Sequence, residues 1–265
     1  MILIMNKVLK FLVLRILKFV HDKKSIAVIF QNDEDKAIFL NNKIINEHQA
    51  CKISGSGVDL SIYQYYQEPD DSIVRILFTA RMLRDKGVLV LVAAAKLLKE
   101  KYFGKIQFLF CGDIDNNPNS LTQSELENIN DGEYIKWLGY RSDICELLES
   151  SHIFAFPSYY REGLPKSLIE ACAVGRPIIT TNSIGCKDCV IDNYNGFLIP
   201  IKDSNALAAK LAILIDDKTL RVCMGRNSRI WAEKNFSITI VIEKHIEIYN
   251  KLLLEKSKSD DCKPI

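Results

Sequence analysis

Two carboxylates eight positions apart frame the stretch of this chain best equipped for chemistry. Residues 161–181 read REGLPKSLIEACAVGRPIITT, with Glu162 before a Gly-Leu-Pro turn and Glu170 inside the apolar run that follows. Pro165 suits the first turn of a helix, where its missing N–H costs nothing. The segment predicts a helix starting near Gly163–Pro165, with the free N–H groups of Lys166, Ser167 and Leu168 forming an anion site. At ~1.5 Å rise per residue the two acids stand roughly 12 Å apart. A retaining glycosidase holds its two carboxyls about 5–5.5 Å apart, so these are not an acid/base pair acting on one bond. They fit opposite ends of one extended ligand with phosphate between them. Glu162 would meet one end, the helix N-terminus the phosphate, and Glu170 a hydroxylated group at the other. A carboxylate can accept from two hydroxyls at once, which suits sugars and ribose. The ligand so described is a nucleotide-sugar.

Two more loops carry suggestive residues. Arg81-Met-Leu-Arg-Asp-Lys86-Gly87 places an arginine and a lysine five apart around a turn, where both can reach one polyanion; a solvated basic turn explains the same residues. Gly112, after IQFLFC, would let a ligand approach the backbone. Both loops follow predicted strands. From residue 73 the chain alternates apolar strand runs (75–80, 106–112, 134–140, 153–158, PIITT and 196–200) with helical patterns (LVLVAAAKLLKEKY, residues 121–129, SDICELLESS, the opening helix and SNALAAKLAILIDD). This rhythm predicts an α/β fold of βαβ units around a Rossmann-like parallel sheet, helices on both faces. Strands apolar throughout are those covered on both faces. Ligands of such sheets sit beyond the strands' carboxyl ends. No G-x-G-x-x-G follows the first strand, which argues against a dinucleotide-binding protein.

Before residue 73 the pattern is shorter. SIAVIFQN is a β-rich run, Asn32 or Asp33 can cap the helix that follows, KISGSGVDL reads as turn, and residues 61–72 as a linker. Residues 1–24 hold six basic residues against one acid, a local net of +5, with Leu9, Leu12, Ile16 and Phe19 at helical spacing. Either this helix packs on a domain, or it also rests on an anionic membrane. Lysines and an arginine interrupt every apolar run well short of the ~20 residues of a membrane span. At the other end Ile242, Ile246, Tyr249 and Leu253 share one helix face, and the tail KSKSDDCKPI is polar.

Composition sets limits. The 265 residues are 48% hydrophobic and 26% charged, with a net charge of +2, which gives nucleic acid no electrostatic footprint. Eight cysteines, most inside apolar runs, read as reduced thiols of a cytosolic protein. Cys186-Lys-Asp-Cys189 stands alone, without a second pair or a His at zinc spacing, and reads as a chance pair in a loop.

FTARMLRDKG, CGD, YIKWLGYRSDICELLESS, the E-x7-E stretch from Glu162 to Glu170 and GRPIITTNSIGCKDCVIDNYNGFLIPIKD together resemble the retaining glycosyltransferases of family 4, the group 1 type with GT-B architecture. The resemblance runs from about residue 73 to 237. VIFQNDEDKAIF, SGSGVDL and CGDIDNNPNSLT look like the bacterial subgroup that extends undecaprenyl-diphosphate-linked sugars in O-antigen, capsule or glycoprotein assembly, α-1,3-N-acetylgalactosaminyltransferases among them. The resemblance implies a nucleotide-sugar donor with uracil as its base, a lipid-linked glycan acceptor, and no metal or other cofactor. It implies that Arg81 and Lys86 hold the donor diphosphate, Glu162 contacts the transferred sugar and Glu170 binds the ribose. The backbone of Leu164, Pro165, Lys166, Ser167 and Leu168 would receive the distal phosphate, with Gly163 also in the substrate-binding set. The strand end around Leu138, Tyr140 and Arg141 would lie against the base, with Gly112 also in the substrate-binding set. Retention in this family implies front-side attack with no protein nucleophile.

The same resemblance divides the chain into residues 1–72, a remnant of an acceptor-side domain with its linker, residues 73–237, the donor-binding domain, and residues 238–265, a final helix and tail. Seventy-two residues are short of the ~100 that an α/β domain usually needs. The final helix, which in GT-B proteins returns to pack on the first domain, is therefore expected to expose its apolar face. Two functions follow. The chain is a glycosyltransferase whose acceptor side is completed by a separate chain, or a non-catalytic nucleotide-sugar-binding fragment of an interrupted gene. Either would sit in the cytoplasm, in contact with the inner face of the membrane if residues 1–24 engage it.

Overall fold

The computed structural model describes residues 2–21 and 26–261. Two parallel sheets organise them. The larger contains β3 (Val74–Thr79), β4 (Ile106–Cys111), β5 (Ile135–Trp137), β6 (Ile153–Phe156), β7 (Ile178–Thr181) and β8 (Gly196–Ile199). Its strand order is β5-β4-β3-β6-β7-β8 with every pairing parallel. The chain thus winds outward from β3 in one direction, then returns to β6 and winds in the other. The point of reversal lies between β3 and β6, where doubly wound folds bind their ligands. Helices α3 (Val88–Tyr102), α4 (Gln123–Ile129), α5 (Ile144–Glu149), α6 (Lys166–Val174), α7 (Ser204–Asp216) and α8 (Lys218–Asn235) make the connections and close the unit. The central strands are buried on both faces because their residues are apolar throughout: Phe78, Phe110, Phe154 and Phe156 all lie within the core.

The smaller sheet pairs β1 (Val28–Phe30) with β2 (Ala50–Lys52). Between them α2 (Asp33–Asn41) starts at Asn32, whose side chain accepts from the Asp35 N–H at 2.8 Å as the cap expected from the sequence. A small cluster of Phe30, Ile44 and Ile45 forms its core. α1 (Ile2–His21) docks on that cluster through Leu14 and Leu17. Its stripe of Leu9, Leu12, Ile16 and Phe19 lies elsewhere and is exposed, Phe19 to 85%. α9 (Ile238–Asp261) likewise exposes Ile242, Ile246, Tyr249 and Leu253, as the sequence led us to expect. Among the described residues no helix is long and apolar enough to cross a membrane.

Residues 61–72 are irregular but firmly held. Arg221 of α8 clasps Glu68 with both arms, Nε to Oε2 at 2.9 Å and Nη2 to Oε1 at 3.0 Å. The buried Arg176 guanidinium donates to the carbonyls of Ser151, Tyr66 and Gln67. Arg229 Nη1 donates to Tyr63 O at 2.8 Å. Val58 pairs with the segment entering α9, its N–H donating to Phe236 O and its carbonyl accepting from Ile238 N–H. The two passages of the chain between the sheets are therefore stitched together.

Two elements go beyond the sequence reading. β2 is three residues long and has no counterpart in that reading; the glycine-punctuated turn KISGSGVDL begins at its last residue, Lys52. α8 spans 18 residues, and its buried face is Arg221, Met224, Gly225, Ser228 and Ala232. That face follows helical spacing, yet only Met224 and Ala232 are apolar side chains, so a search for apolar periodicity passes over it.

Gly112 has a structural reason for being glycine. It sits at φ 142, and a Cβ there would stand 1.8 Å from Ala80 O. The loops after β3 and β4 touch backbone to backbone at this point. Gly112→Ala is expected to cost about 1–3 kcal/mol of stability and to displace Ala80 and Arg81, which urea denaturation with and without nucleotide will show.

Candidate functional site

The reversal point between β3 and β6 opens into two adjoining hollows that share Thr79, Ala80 and Arg81. The larger, ≈ 450 Å³, is lined further by Gly112, Tyr140, Arg141, Ile144 and Glu170. The smaller, ≈ 200 Å³, is lined by Lys86, Phe156, Glu162, Pro165, Lys166 and Ser167. The two glutamates of the opening stretch thus belong to different hollows, with Arg81 between them.

Lys86 and Glu162 meet because their loops are tied together. Asp85 O accepts from the N–H groups of Tyr159 and Tyr160 at 2.9 and 3.1 Å. Lys86 Nζ then lies 2.6 Å from Glu162 Oε2, with side chains only 11% and 18% exposed. The rings of Phe156 and Tyr160 flank the ammonium at 5.6 and 5.2 Å, a cation–π setting that favours its charge. Ser158, fully buried, brings its Oγ to 3.3 Å from Glu162 Oε1 and so orients the carboxylate.

Arg81 is more exposed and is held by Asp115, Nη1 to Oδ2 at 2.5 Å. That hydrogen bond, ahead of the opposing effect of burial, keeps the Asp115 carboxyl below its ordinary pKa. Asp115 is a site neighbour that the sequence did not reveal. A diphosphate entering the cleft would share or displace it.

Glu170 points from α6 into the larger hollow, nearly buried. Burial raises its pKa, while a hydrogen bond from the Tyr63 hydroxyl and the charge of Lys166, 3.9 Å away, pull it back. Burial and the neighbouring Glu170 charge in turn push the Tyr63 hydroxyl up. Tyr63 lies in the stretch read as linker, so its role at the site is visible only in three dimensions.

The rest of the predicted set distributes unevenly. α6 begins at Lys166, with Pro165 as its cap residue at φ −62. Leu164 donates its N–H to Gln31 Oε1 at 2.9 Å, and its side chain is buried. Leu168 donates to Pro165 O at 3.2 Å. Lys166 and Ser167, at the start of α6, line the smaller hollow. Leu138 is drawn back against the core, its N–H donating to Phe110 O at 2.8 Å, while Tyr140 and Arg141 line the larger hollow. Arg141 is paired with Asp143. Cys186 and Cys189 are fully buried free thiols. Among the described residues no group of three His, Cys, Asp or Glu side chains is placed to hold a metal ion.

The fold and site define a doubly wound α/β protein with cations and carboxylates at its topological switch point. The chain belongs to the group 1 glycosyltransferases, whose family model, "Glycosyl transferases group 1", matches residues 67–231. It is 31% identical to the N,N'-diacetylbacillosaminyl-diphospho-undecaprenol alpha-1,3-N-acetylgalactosaminyltransferase of Campylobacter jejuni, over 89% of this chain and 62% of that protein. It is 31% identical to the capsular polysaccharide biosynthesis glycosyltransferase CapM of Staphylococcus aureus, over 72% of this chain and 50% of that one. The chain thus spans between half and two thirds of these relatives' length.

Among solved structures, a glycosyltransferase from Rickettsia africae superposes with a TM-score of 0.79 at 26% identity, covering 89% of this chain and 66% of that one. Anabaena Alr3699/HepE, crystallised with UDP and glucose, shares the fold with a TM-score of 0.73 at 19% identity, covering 89% and 66%. The C-terminal domain of the group 1 protein LpcC from Francisella tularensis matches over its whole length and 69% of this chain, with a TM-score of 0.57 at 21% identity. The structure is therefore the C-terminal GT-B fold with a small additional sheet.

The Glu170 environment makes a separable prediction. A buried acid with a raised pKa favours its neutral form on folding, so its ionisation subtracts stability as pH rises above the unfolded value. Glu170→Gln removes that penalty and keeps an acceptor for Tyr63. Its melting temperature at neutral pH should equal or exceed the parent's. Its affinity for a nucleotide should fall about tenfold, the loss of a hydrogen bond to a charged group. Calorimetric titration with UDP and a melting scan together check this. A variant that binds UDP as the parent does would remove Glu170 from the site.

Proposed function

We propose that the cleft binds a UDP-linked sugar, and that the chain carries the donor side of a retaining glycosyltransferase moving a hexose or N-acetylhexosamine to a lipid-linked glycan in surface polysaccharide or O-antigen synthesis. The observation that carries this reading is the position of Arg81, at the junction of one hollow containing Glu170 and another containing the Lys86–Glu162 pair. That order, hydroxyl acceptor, cation, then cation with carboxylate, follows a nucleotide-sugar from ribose through diphosphate to sugar.

In this reading the base lies against Tyr140 and Arg141 and the ribose hydroxyls donate to Glu170. Arg81, Lys86 and the amides of Lys166 and Ser167 surround the diphosphate. The leaving diphosphate gains negative charge in the transition state, and fixed cations in a partly closed site stabilise it. Glu162, oriented by Ser158, holds Lys86 and faces the transferred sugar. The acceptor attacks from the side on which the diphosphate departs, so no protein nucleophile is required. Residues 1–72 form the acceptor-facing part and residues 73–237 the donor-binding part. Support for a lipid-linked acceptor comes from the relatives' names, and support for uracil from the UDP bound by a protein of the same fold.

The test is a calorimetric screen of UDP- and GDP-sugars against the purified chain, followed by transfer assays to a lipid-linked acceptor. Binding of a UDP-sugar at millimolar concentration or below is expected. Absence of binding by every nucleotide-sugar at millimolar concentration would overturn the donor site. Binding without transfer would leave a nucleotide-sugar-binding protein instead of an enzyme.

A further inference from the structure

The loop that carries Glu162 is gripped from outside the larger sheet. Gln31 follows β1 of the small sheet, 133 positions from Leu164, and its side-chain carbonyl accepts the Leu164 N–H at 2.9 Å. The fit at this contact is close. A Cβ on Gly163 would stand 1.9 Å from Gln31 Oε1, so glycine at 163 admits the glutamine. The Leu164 side chain is buried, in contact range of Gly55 from the same part of the chain.

The acidic first turn of α2, Asp33-Glu34-Asp35, adds two ion pairs across the same seam. Asp35 Oδ1 meets Arg161 Nη2 at 2.5 Å, and Glu34 meets Lys187. Arg161 is the immediate neighbour of Glu162. The grip therefore bears on the residues on both sides of that carboxylate, Arg161 before it and Gly163–Leu164 after it. The exposed ion pairs contribute little by themselves. The Gln31 bond is different in kind: it fixes a backbone amide at the point where the loop turns into α6.

We propose that Gln31 is a positioning residue for Glu162: by holding the Leu164 amide it sets the carboxylate where the donor's sugar is recognised, and so governs discrimination between a nucleotide-sugar and the bare nucleotide. The inference rests on the donor-site reading above. The larger hollow, with Glu170, Tyr140 and Arg141, lies on the other side of Arg81 and makes no contact with Gln31 in the described structure. Recognition of the nucleoside diphosphate and recognition of the sugar thus have separate supports.

The experiment compares UDP with the UDP-sugar that the wild-type chain binds best, by calorimetric titration. Gln31→Leu keeps the side chain's bulk and removes the acceptor. It should weaken the UDP-sugar roughly three- to tenfold, the effect of one hydrogen bond, and leave UDP within about twofold. Gln31→Glu restores an acceptor and should recover most of the loss. The double variant with Glu162→Gln should bind the UDP-sugar no more weakly than Glu162→Gln alone, because Gln31 acts through that carboxylate.

Equal weakening of UDP and UDP-sugar, additive losses in the double variant, or no change in Gln31→Leu would each overturn the proposal while leaving the donor site standing. A wild-type chain that binds neither UDP nor any UDP-sugar would overturn the donor site, and this inference with it.

Discussion

Lys86→Ala should lower the rate of sugar transfer or of donor hydrolysis by about 10²–10³-fold, the cost of removing one fixed charge-stabilising group from a transition state. Two effects combine. The ammonium lost is the least exposed of the cations lining the two hollows, set between Glu162 and the rings of Phe156 and Tyr160. The carboxylate left behind has its cationic partner removed and faces an incoming diphosphate of like charge. The second effect predicts a signature in the double variant: Lys86→Ala with Glu162→Gln should be less impaired than the product of the two single losses, since the repulsion is gone. Lys86→Arg should recover part of the rate. Steady-state kinetics with saturating acceptor, alongside UDP-sugar affinity, decides the matter. Lys86→Ala within threefold of the parent in both would show that the diphosphate lies elsewhere. Arg81→Ala belongs to the same experiment. Its guanidinium is 61% exposed and shares its charge with Asp115, so water and a neighbouring carboxylate already offset part of its field.

Glu68→Ala should be the most destabilising substitution away from the cleft, by about 3–5 kcal/mol, the range for breaking a buried ion pair by removing one partner. Both side chains are under a tenth exposed, and the carboxylate meets Arg221 at two points. Without it the guanidinium keeps only the carbonyls of Leu214 and Ile215, on one side. At this size the loss corresponds to a fall in melting temperature of roughly 6–20 °C. Changing both residues, Glu68→Leu with Arg221→Met, should cost less than Glu68→Ala alone, because no buried charge is then left uncompensated. A melting temperature within 2 °C of the parent's for Glu68→Ala would show that the pair contributes nothing net.

Most of the larger sheet was legible because its strands are apolar on both faces and its first helices alternate with them in an even rhythm. VRILFT, IQFLFC and IFAF can hardly be anything else once turn residues bound them. α8 was illegible for a chemical reason. Its inward residues include an arginine paired with Glu68, a serine whose hydroxyl donates to Asn195 O, and a glycine packed closely against Gly175. Nothing local marks them as buried. β2 escaped because Ala50–Lys52 lies outside any longer β-rich run, whereas the equally short β1 and β5 sit inside SIAVIFQN and YIKWLGY.

At the site, Arg81, Lys86, Glu162 and Glu170 were legible from residue type and from their places at strand ends and the start of a helix. Tyr63, Asp115 and Gln31 were not, since each bears on a site residue or its loop across a long sequence separation: Tyr63 on Glu170, Asp115 on Arg81 and Gln31 on the Leu164 amide. The sequence also assigned all the amides from Leu164 to Leu168 to one anion site. The structure engages two of them, Leu164 with Gln31 and Leu168 with Pro165, a division that depends on contacts no local pattern encodes.

The electrostatic coupling of Tyr63 to Glu170 has a thermodynamic consequence. Tyr63 belongs to the connection between the two sheets, and Glu170 to the hollow that would take the ribose. If a ligand's hydroxyls strengthen or loosen that coupling, they change the free energy of the connection's present path. Reciprocity then requires that whatever shifts the connection alter the ligand's affinity by the same factor. The tie between the sheets is therefore a load cell as well as a tether: hydrogen exchange at residues 61–66 should report on occupancy of a cavity that those backbone amides never touch.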